Sequence, residues 1–172
     1  MKRAKKVEPA LLPAVRWIEV QLDDRDPLAY FQSREGFEVG DGFKQFILPA
    51  VTERHDLMAV TIGSSDLCQH TDAVRVRQQL PEGHIFLDAD HFCRMLAALI
   101  KDPHQDLLST QPKRINFAFV QGVGGAVFAV NVVNYCGWRC HAFEPWYNQD
   151  LKRPTVWAEG DRVFSAMAVK AA

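Results

Sequence analysis

Apolar and polar positions alternate along parts of this chain and predict several strands. Residues 17–24, WIEVQLDD, alternate with a period of two, which is typical of a strand with one buried face. Pro13 ahead of them would also suit a helix start, but the alternation favours a strand. Residues 42–51 and 56–63 are apolar runs bounded by Gly, Pro or charged residues, and we interpret both as strands. The segment 66–82 is compatible with a helix and with a strand.

Two helices are predicted from capping residues and helical spacing. Asp26 is a suitable N-cap and Pro27 suits the first helical position, so a short helix is expected over residues 27–35, before a glycine. Further along, a strand over residues 84–90, HIFLDAD, leads directly into a second helix, which ends at the Lys-Asp-Pro of residues 101–103. Its apolar positions are Phe92, Met95, Leu96, Leu99 and Ile100.

The C-terminal third is the most strand-like part of the chain. Residues 114–121, 125–133 and 138–144 are β-branched and aromatic runs with Gly-containing connections, which predicts an antiparallel meander. Residues 155–158 and 162–169 are joined by Glu-Gly-Asp and are expected to form a hairpin. We therefore predict an α+β fold, with a predominantly antiparallel sheet packed on one face against two or three short helices.

Composition bounds the class of protein. A chain of 172 residues that is 48% hydrophobic can form one domain, which we place at residues 9–172. No apolar run reaches the ~18 residues that a membrane span needs, and the N-terminus lacks the apolar core of a signal peptide, so we expect a cytoplasmic protein without membrane contact. The four cysteines are irregularly spaced and indicate reduced thiols.

Charge is distributed unevenly. Residues 1–6 contain four basic and no acidic side chains, and we interpret residues 1–8 as a basic, disordered tail. Residues 7–109 contain 9 basic and 17 acidic side chains, which argues against a duplex-binding domain, because such domains present a concentrated basic face. Residues 110–172 contain seven basic and four acidic side chains.

The candidate chemistry lies where the predicted strand meets the second helix. Asp88, Asp90 and His91 could converge there and offer oxygen and nitrogen ligands to a metal ion, or act in acid–base chemistry. His84 cannot share one ion with Asp88, because four residues of strand separate them by ~13 Å. Helix capping accounts for an aspartate at this place without any ligand and is the preferred interpretation.

Aromatic and basic side chains are concentrated towards the C-terminus. On an open sheet, such side chains can anchor a protein partner or stack the bases of a single-stranded nucleic acid. Alternatively, the tryptophans complete the core and the charged side chains line its rim. The candidate binding surface consists of Trp138, Arg139, Trp146, Tyr147, Lys152, Arg153 and Trp157.

Two stretches of the chain resemble a known protein family. YFQSREGFEV, residues 30–39, after the strand at 17–24, is similar to the opening strand–helix–strand of the vicinal oxygen chelate (glyoxalase-like) superfamily. HIFLDADHFCRMLAAL, residues 84–99, with the strands after it, resembles a second βαβββ unit of that superfamily. The resemblance implies a glyoxalase-like cup. It places Trp17 where the family has its first-strand metal histidine, and no glutamate on a later strand completes that ligand set.

These observations favour binding over catalysis, since no coherent catalytic set is recognisable. We predict a non-catalytic accessory or regulatory protein, without a cofactor, that binds another protein or a second copy of itself through its C-terminal surface. The first alternative is an enzyme, or a small-molecule or metal-binding protein, that uses Asp88 to His91; it predicts a polar pocket there. The second is single-stranded nucleic-acid binding through the basic tail and the C-terminal sheet, with strong salt dependence.

Overall fold

A computed structural model describes residues 11–12, 15–52, 56–80, 85–102, 107–145 and 154–166. These residues form a mixture of helices and strands, as predicted, and no helix among them has the length and apolar character needed to cross a membrane. The predicted basic tail lies outside the described residues.

In chain order the elements are β1 (Arg16–Gln21), α1 (Pro27–Tyr30), β2 (Phe37–Val39), a π-helical turn (Phe43–Ile47), a 3₁₀ turn (Leu48–Ala50), β3 (Ala59–Asp66), β4 (Thr71–Asp72), α2 (Ala73–Gln79), α3 (Ala89–Lys101), β5 (Asn116–Gln121), a second 3₁₀ turn (Val123–Gly125), β6 (Val127–Asn134), β7 (Trp138–Phe143), β8 (Val156–Trp157) and β9 (Arg162–Ala166).

Seven strands form the main sheet, in the order β1, β3, β9, β5, β6, β7, β2. β1 and β3 confirm the strands predicted within residues 17–24 and 56–63. β9 runs parallel to β5, and β2 runs parallel to β7, whereas the other neighbours are antiparallel. The sheet is therefore mixed, and the prediction of a predominantly antiparallel sheet is wrong. Parallel neighbours are joined by long crossovers, and local sequence patterns do not show which distant strands meet.

The C-terminal strands include one confirmed arrangement and one wrong one. β5, β6 and β7 form the predicted antiparallel meander, and the turn between β5 and β6 contains Gly124 and Gly125 at positive φ. β8 and β9 were expected to pair with each other. Instead β8 pairs with β4, and β9 enters the main sheet between β3 and β5. The Glu-Gly-Asp segment still turns the chain, with Gly160 at a φ of 85°.

Both faces of the main sheet are covered, rather than the one face predicted. Ala118 and Val120 of β5 face a larger core to which α1 and α3 contribute. Phe117 and Phe119 face a smaller core beneath α2. This helix forms part of segment 66–82, for which the sequence was compatible with both a helix and a strand. Because successive strand residues point to opposite faces, β5 is apolar almost throughout.

Two predicted elements near the N-terminus differ from the structure. Residues 42–51 form the π-helical and 3₁₀ turns rather than a strand, and their buried residues Phe43 and Ile47 lie one turn apart. The helix predicted over residues 27–35 ends at Tyr30, because the following chain forms a tight turn through Gly36, at a φ of 71°, that leads into β2.

Candidate functional site

Asp88 caps α3, and we refer to Asp88, Ala89, Asp90 and His91 as the joint. The Oδ1 atom of Asp88 accepts a hydrogen bond from the backbone N–H of His91 at 3.1 Å. The capping interpretation is thus confirmed for Asp88. The strand predicted over residues 84–90 is wrong for the residues that the structure describes: Phe86 forms only an isolated bridge with Val120, and Ala89 and Asp90 already belong to α3.

Asp90 is buried and forms an ion pair with Arg94, one helical turn further along α3. Its Oδ2 atom lies 3.6 Å from Nη1 of Arg94, and the two side chains are only 2% and 1% exposed. Arg94 also donates from Nε to the backbone oxygen of Asp23 at 2.9 Å, and its Nη2 lies 3.7 Å from Oδ1 of Asp24. These contacts offset part of the large cost of burying two charges. Sequence reasoning missed Arg94, although its i, i+4 spacing from Asp90 was the available signal.

His91 adds a nitrogen to the two carboxylates. Its Nδ1 atom lies 3.7 Å from Oδ2 of Asp88. One oxygen from each aspartate and one imidazole nitrogen lie within 4.8 Å of one another, a grouping that no other three potential metal-ligating side chains reproduce in the described part of the chain. The structure thus brings together the three residues that the sequence singled out. His84 lies outside the described residues.

Cys93, on the same helix, is fully buried in the larger core. Burial raises the pKa of its thiol well above the ordinary value, and the nearby Cys140 and the carboxylates of Asp90 and Asp88 raise it further. The thiol therefore stays protonated at neutral pH. A thiolate ligand or nucleophile at this position is not supported.

A polar cavity of about 350 Å³ opens beside the joint. Asp88 and Asp90 line one side of this joint cavity, and Gly122 and Gly125, from the turn between β5 and β6, line the other. A side chain at Gly122 would clash with the backbone oxygen of Phe46. This wall therefore requires glycine, which gives the Gly-Val-Gly-Gly sequence a packing role in addition to its turn.

Trp157, one of the predicted surface residues, lies in the smaller core. It is 1% exposed, and its ring stacks on Phe117 with a centroid separation of 4.0 Å. Its Nε1 atom donates a hydrogen bond to Oδ1 of Asn131 at 3.1 Å. Because both its apolar and its polar parts are satisfied internally, Trp157 is not part of a binding surface, and its assignment there was wrong.

Two further members of the predicted surface are described, and both lie on β7. Trp138 is half-buried against the larger core. Arg139 is 45% exposed, and its Nε atom lies 3.3 Å from Oε2 of Glu38. The four others lie outside the described residues, and their role stays a prediction: Trp146, Tyr147, Lys152 and Arg153.

Comparison with protein-family models, curated proteins and solved structures finds no significant match to this chain. β1, α1 and β2 follow one another as the glyoxalase-like resemblance implies, but β1 and β2 are the two outer strands of the main sheet. Trp17, at the position of that family's metal histidine, lies on the outer strand β1. The resemblance therefore adds no ligand to the joint.

Proposed function

We propose that this protein binds a divalent cation at the joint, together with a small polar ligand in the joint cavity. The observation that most supports this proposal is the polar cavity lined by both Asp88 and Asp90. The small-molecule alternative predicted a polar pocket at this place. An opening matters because an enclosed cluster of the same side chains could not exchange an ion or a ligand with solvent.

The donor set suits a cation of intermediate softness, such as Zn²⁺ or Mn²⁺. It consists of two carboxylate oxygens and one imidazole nitrogen. Asp88 uses Oδ1 for the helix cap, so Oδ2, on the side of His91, is the oxygen that would ligate the cation. Arg94 offsets the charge of Asp90, and we therefore expect weaker affinity than at a site with two uncompensated carboxylates.

The cavity suits the remaining coordination positions. Three protein side chains leave at least one coordination position of a tetrahedral or octahedral ion unoccupied. Water or an oxygen of the small molecule in the cavity would occupy it. Thr52 and Gln121 also line the cavity, and the Gln121 amide donates a hydrogen bond to the backbone oxygen of Gly125 at 3.1 Å. A small carboxylate or polyhydroxy compound matches these groups, because its oxygens can ligate the ion and accept or donate hydrogen bonds.

Replacing Asp88 by Asn tests the cation site. Asparagine keeps a capping oxygen but removes the negative charge. We expect titration calorimetry of the purified chain with ZnCl₂ or MnCl₂ to show binding, and we expect Asp88→Asn and His91→Gln each to weaken it by roughly tenfold or more.

Asp72→Asn is the matched control. Asp72 caps α2 through the same type of bond, from Oδ1 to the backbone N–H of Arg75 at 2.9 Å, and it does not line the joint cavity. The Asp72→Asn variant should bind Zn²⁺ and Mn²⁺ with the same affinity as the wild type. Absence of binding heat at millimolar metal would refute the proposal, and so would equal affinity of the wild type and Asp88→Asn.

A further inference from the structure

A second cavity, of about 340 Å³, combines cationic and aromatic side chains at the other end of α3. It lies where the loop after α1 and the end of α3 meet the start of β7. We call it the Arg34 pocket. The lining side chains that bear on its chemistry are Arg25, Tyr30, Arg34, Phe37, Lys101 and Trp138.

Arg34 is fixed in place by neutral groups. Its Nη1 atom donates to the backbone oxygens of Tyr30 at 2.8 Å and Gln32 at 3.1 Å. The guanidinium carbon lies 4.4 Å from the ring centroid of Phe37 and 5.0 Å from that of Tyr30. None of the ion pairs within the described ranges includes Arg34. The guanidinium is therefore preorganised, and no carboxylate of a described residue forms an ion pair with it.

Two more cations line the same pocket. Arg25 forms a two-point contact with Asp23, at 2.8 Å for each bond, and its guanidinium carbon lies 4.3 Å from the ring centroid of Tyr30. Lys101 is 67% exposed, and its Nζ atom lies 3.9 Å from Oδ2 of Asp23. Among the described residues that line the pocket, Glu35 is the one carboxylate. Three cations thus face the cavity with one anion, and Asp23 compensates part of their charge from outside.

We infer that the Arg34 pocket binds a small phosphate monoester, whose phosphate pairs with Arg34 and Lys101 and whose planar part packs against Trp138. A guanidinium presents a fork of donors that matches phosphate oxygens, and a second cation favours a dianion over a singly charged group. Trp138 offers a half-buried indole beside these cations, a surface suited to a planar ring. This site is independent of the cation site at the joint.

The test must separate ligand binding from the structural role of Arg34, which bonds the carbonyls after α1. Adenosine 5′-monophosphate, ribose 5-phosphate and adenosine serve as probes in titration calorimetry of the purified chain. We expect the monophosphate to bind most tightly, ribose 5-phosphate more weakly, and adenosine without measurable affinity. The affinity for adenosine 5′-monophosphate should also fall with added salt.

Variants assign this binding to the pocket. We expect Arg34→Gln to weaken the binding of adenosine 5′-monophosphate by about tenfold or more, since the substitution removes the hydrogen bonds from the guanidinium to the charged phosphate. Lys101→Gln should weaken it several-fold, and because Lys101 is exposed we expect this variant to fold like the wild type. Lys113→Gln is the matched control and should bind like the wild type, because Lys113 is exposed and does not line the pocket.

Two results would overturn the inference. One is a wild-type chain that binds neither phosphate-containing probe. The other is phosphate binding that Arg34→Gln and Lys101→Gln leave at the wild-type level, which would place the phosphate elsewhere on the protein. Neither result bears on the cation titration at the joint.

Discussion

The two ends of α3 have opposite chemistry. The joint at its N-terminal end contains two carboxylates and a histidine, whereas the Arg34 pocket at its C-terminal end contains two arginines and Lys101. The helix has 13 residues, which separates the two regions by ~20 Å. Both charge signs agree with the helix dipole, which favours anions at the N-terminus and cations at the C-terminus.

The two regions differ in how their charges are compensated. At the joint, Asp90 is paired with a guanidinium buried as deeply as itself, and Asp88 caps the helix. In the Arg34 pocket, Arg34 is supported by aromatic rings and backbone oxygens rather than by an acid. Charge at the joint is thus tied mainly to the stability of the fold, while the pocket keeps an excess of positive charge that Asp23 and Glu35 compensate only in part. This difference can be tested by stability measurements on each side.

The largest effect is expected from removing the buried cation near the joint. Arg94→Leu leaves the carboxylate of Asp90 buried without its partner guanidinium, and we expect it to lower the free energy of unfolding by about 3–5 kcal/mol. Urea denaturation measures this change. Arg139→Leu, which breaks an exposed ion pair, should cost less than about 1 kcal/mol. Equal losses in the two variants would show that the charge of Asp90 needs no buried partner.

A smaller effect is expected from Asp23, beside the Arg34 pocket. Its hydrogen bond with Arg25 is the main cause that lowers the pKa of Asp23 from 3.8 to about 2, against the opposing effect of burial. The ionised carboxylate therefore stabilises the fold above pH about 4, and this contribution is lost as the pH falls through about 2. Asp23→Asn should cost about 1–2 kcal/mol at neutral pH.

Urea denaturation over a pH series checks this expectation. The difference in stability between the wild type and Asp23→Asn should stay constant at neutral pH and shrink between pH about 4 and about 2. A difference that persists unchanged to pH 2 would contradict the assigned role of the ionised carboxylate.

The smallest of the three effects separates the cap from the proposed cation site. Asp88→Ala, measured in the presence of a chelator, should lower the free energy of unfolding by about 1 kcal/mol, because α3 loses its capping oxygen. Asp88→Asn should change it by only a few tenths of that amount, about 0.3 kcal/mol. If both variants lose the same stability, the charge of Asp88 and not its capping bond stabilises the helix.

Features encoded by neighbouring residues could be predicted from the sequence. The start, apolar face and end of α3 follow from an aspartate, helical spacing and a nearby proline, all within one short stretch. The convergence of Asp88, Asp90 and His91 could be expected for the same reason, since they occupy one helical turn.

Features that depend on distant segments could not be predicted in this way. Composition alone did not distinguish a core tryptophan from a surface one, because Trp157 is fixed by Phe117 and Asn131 on other strands. The Arg34 pocket was missed because Lys101 and Trp138 join it from elsewhere in the chain. A partial signal existed in the spacing of Tyr30 and Arg34, which would place them on one face of the predicted helix.

The position of β9 has a consequence for biosynthesis. β9 follows every other described strand along the chain, yet it joins the β1–β3 pair to the β5–β6–β7–β2 ladder. As the chain is synthesised, both parts emerge from the ribosome before the strand that connects them, and each presents an open edge. We therefore expect the native sheet to form only after Arg162–Ala166 has emerged, and translation arrested earlier to yield chains that associate through those edges.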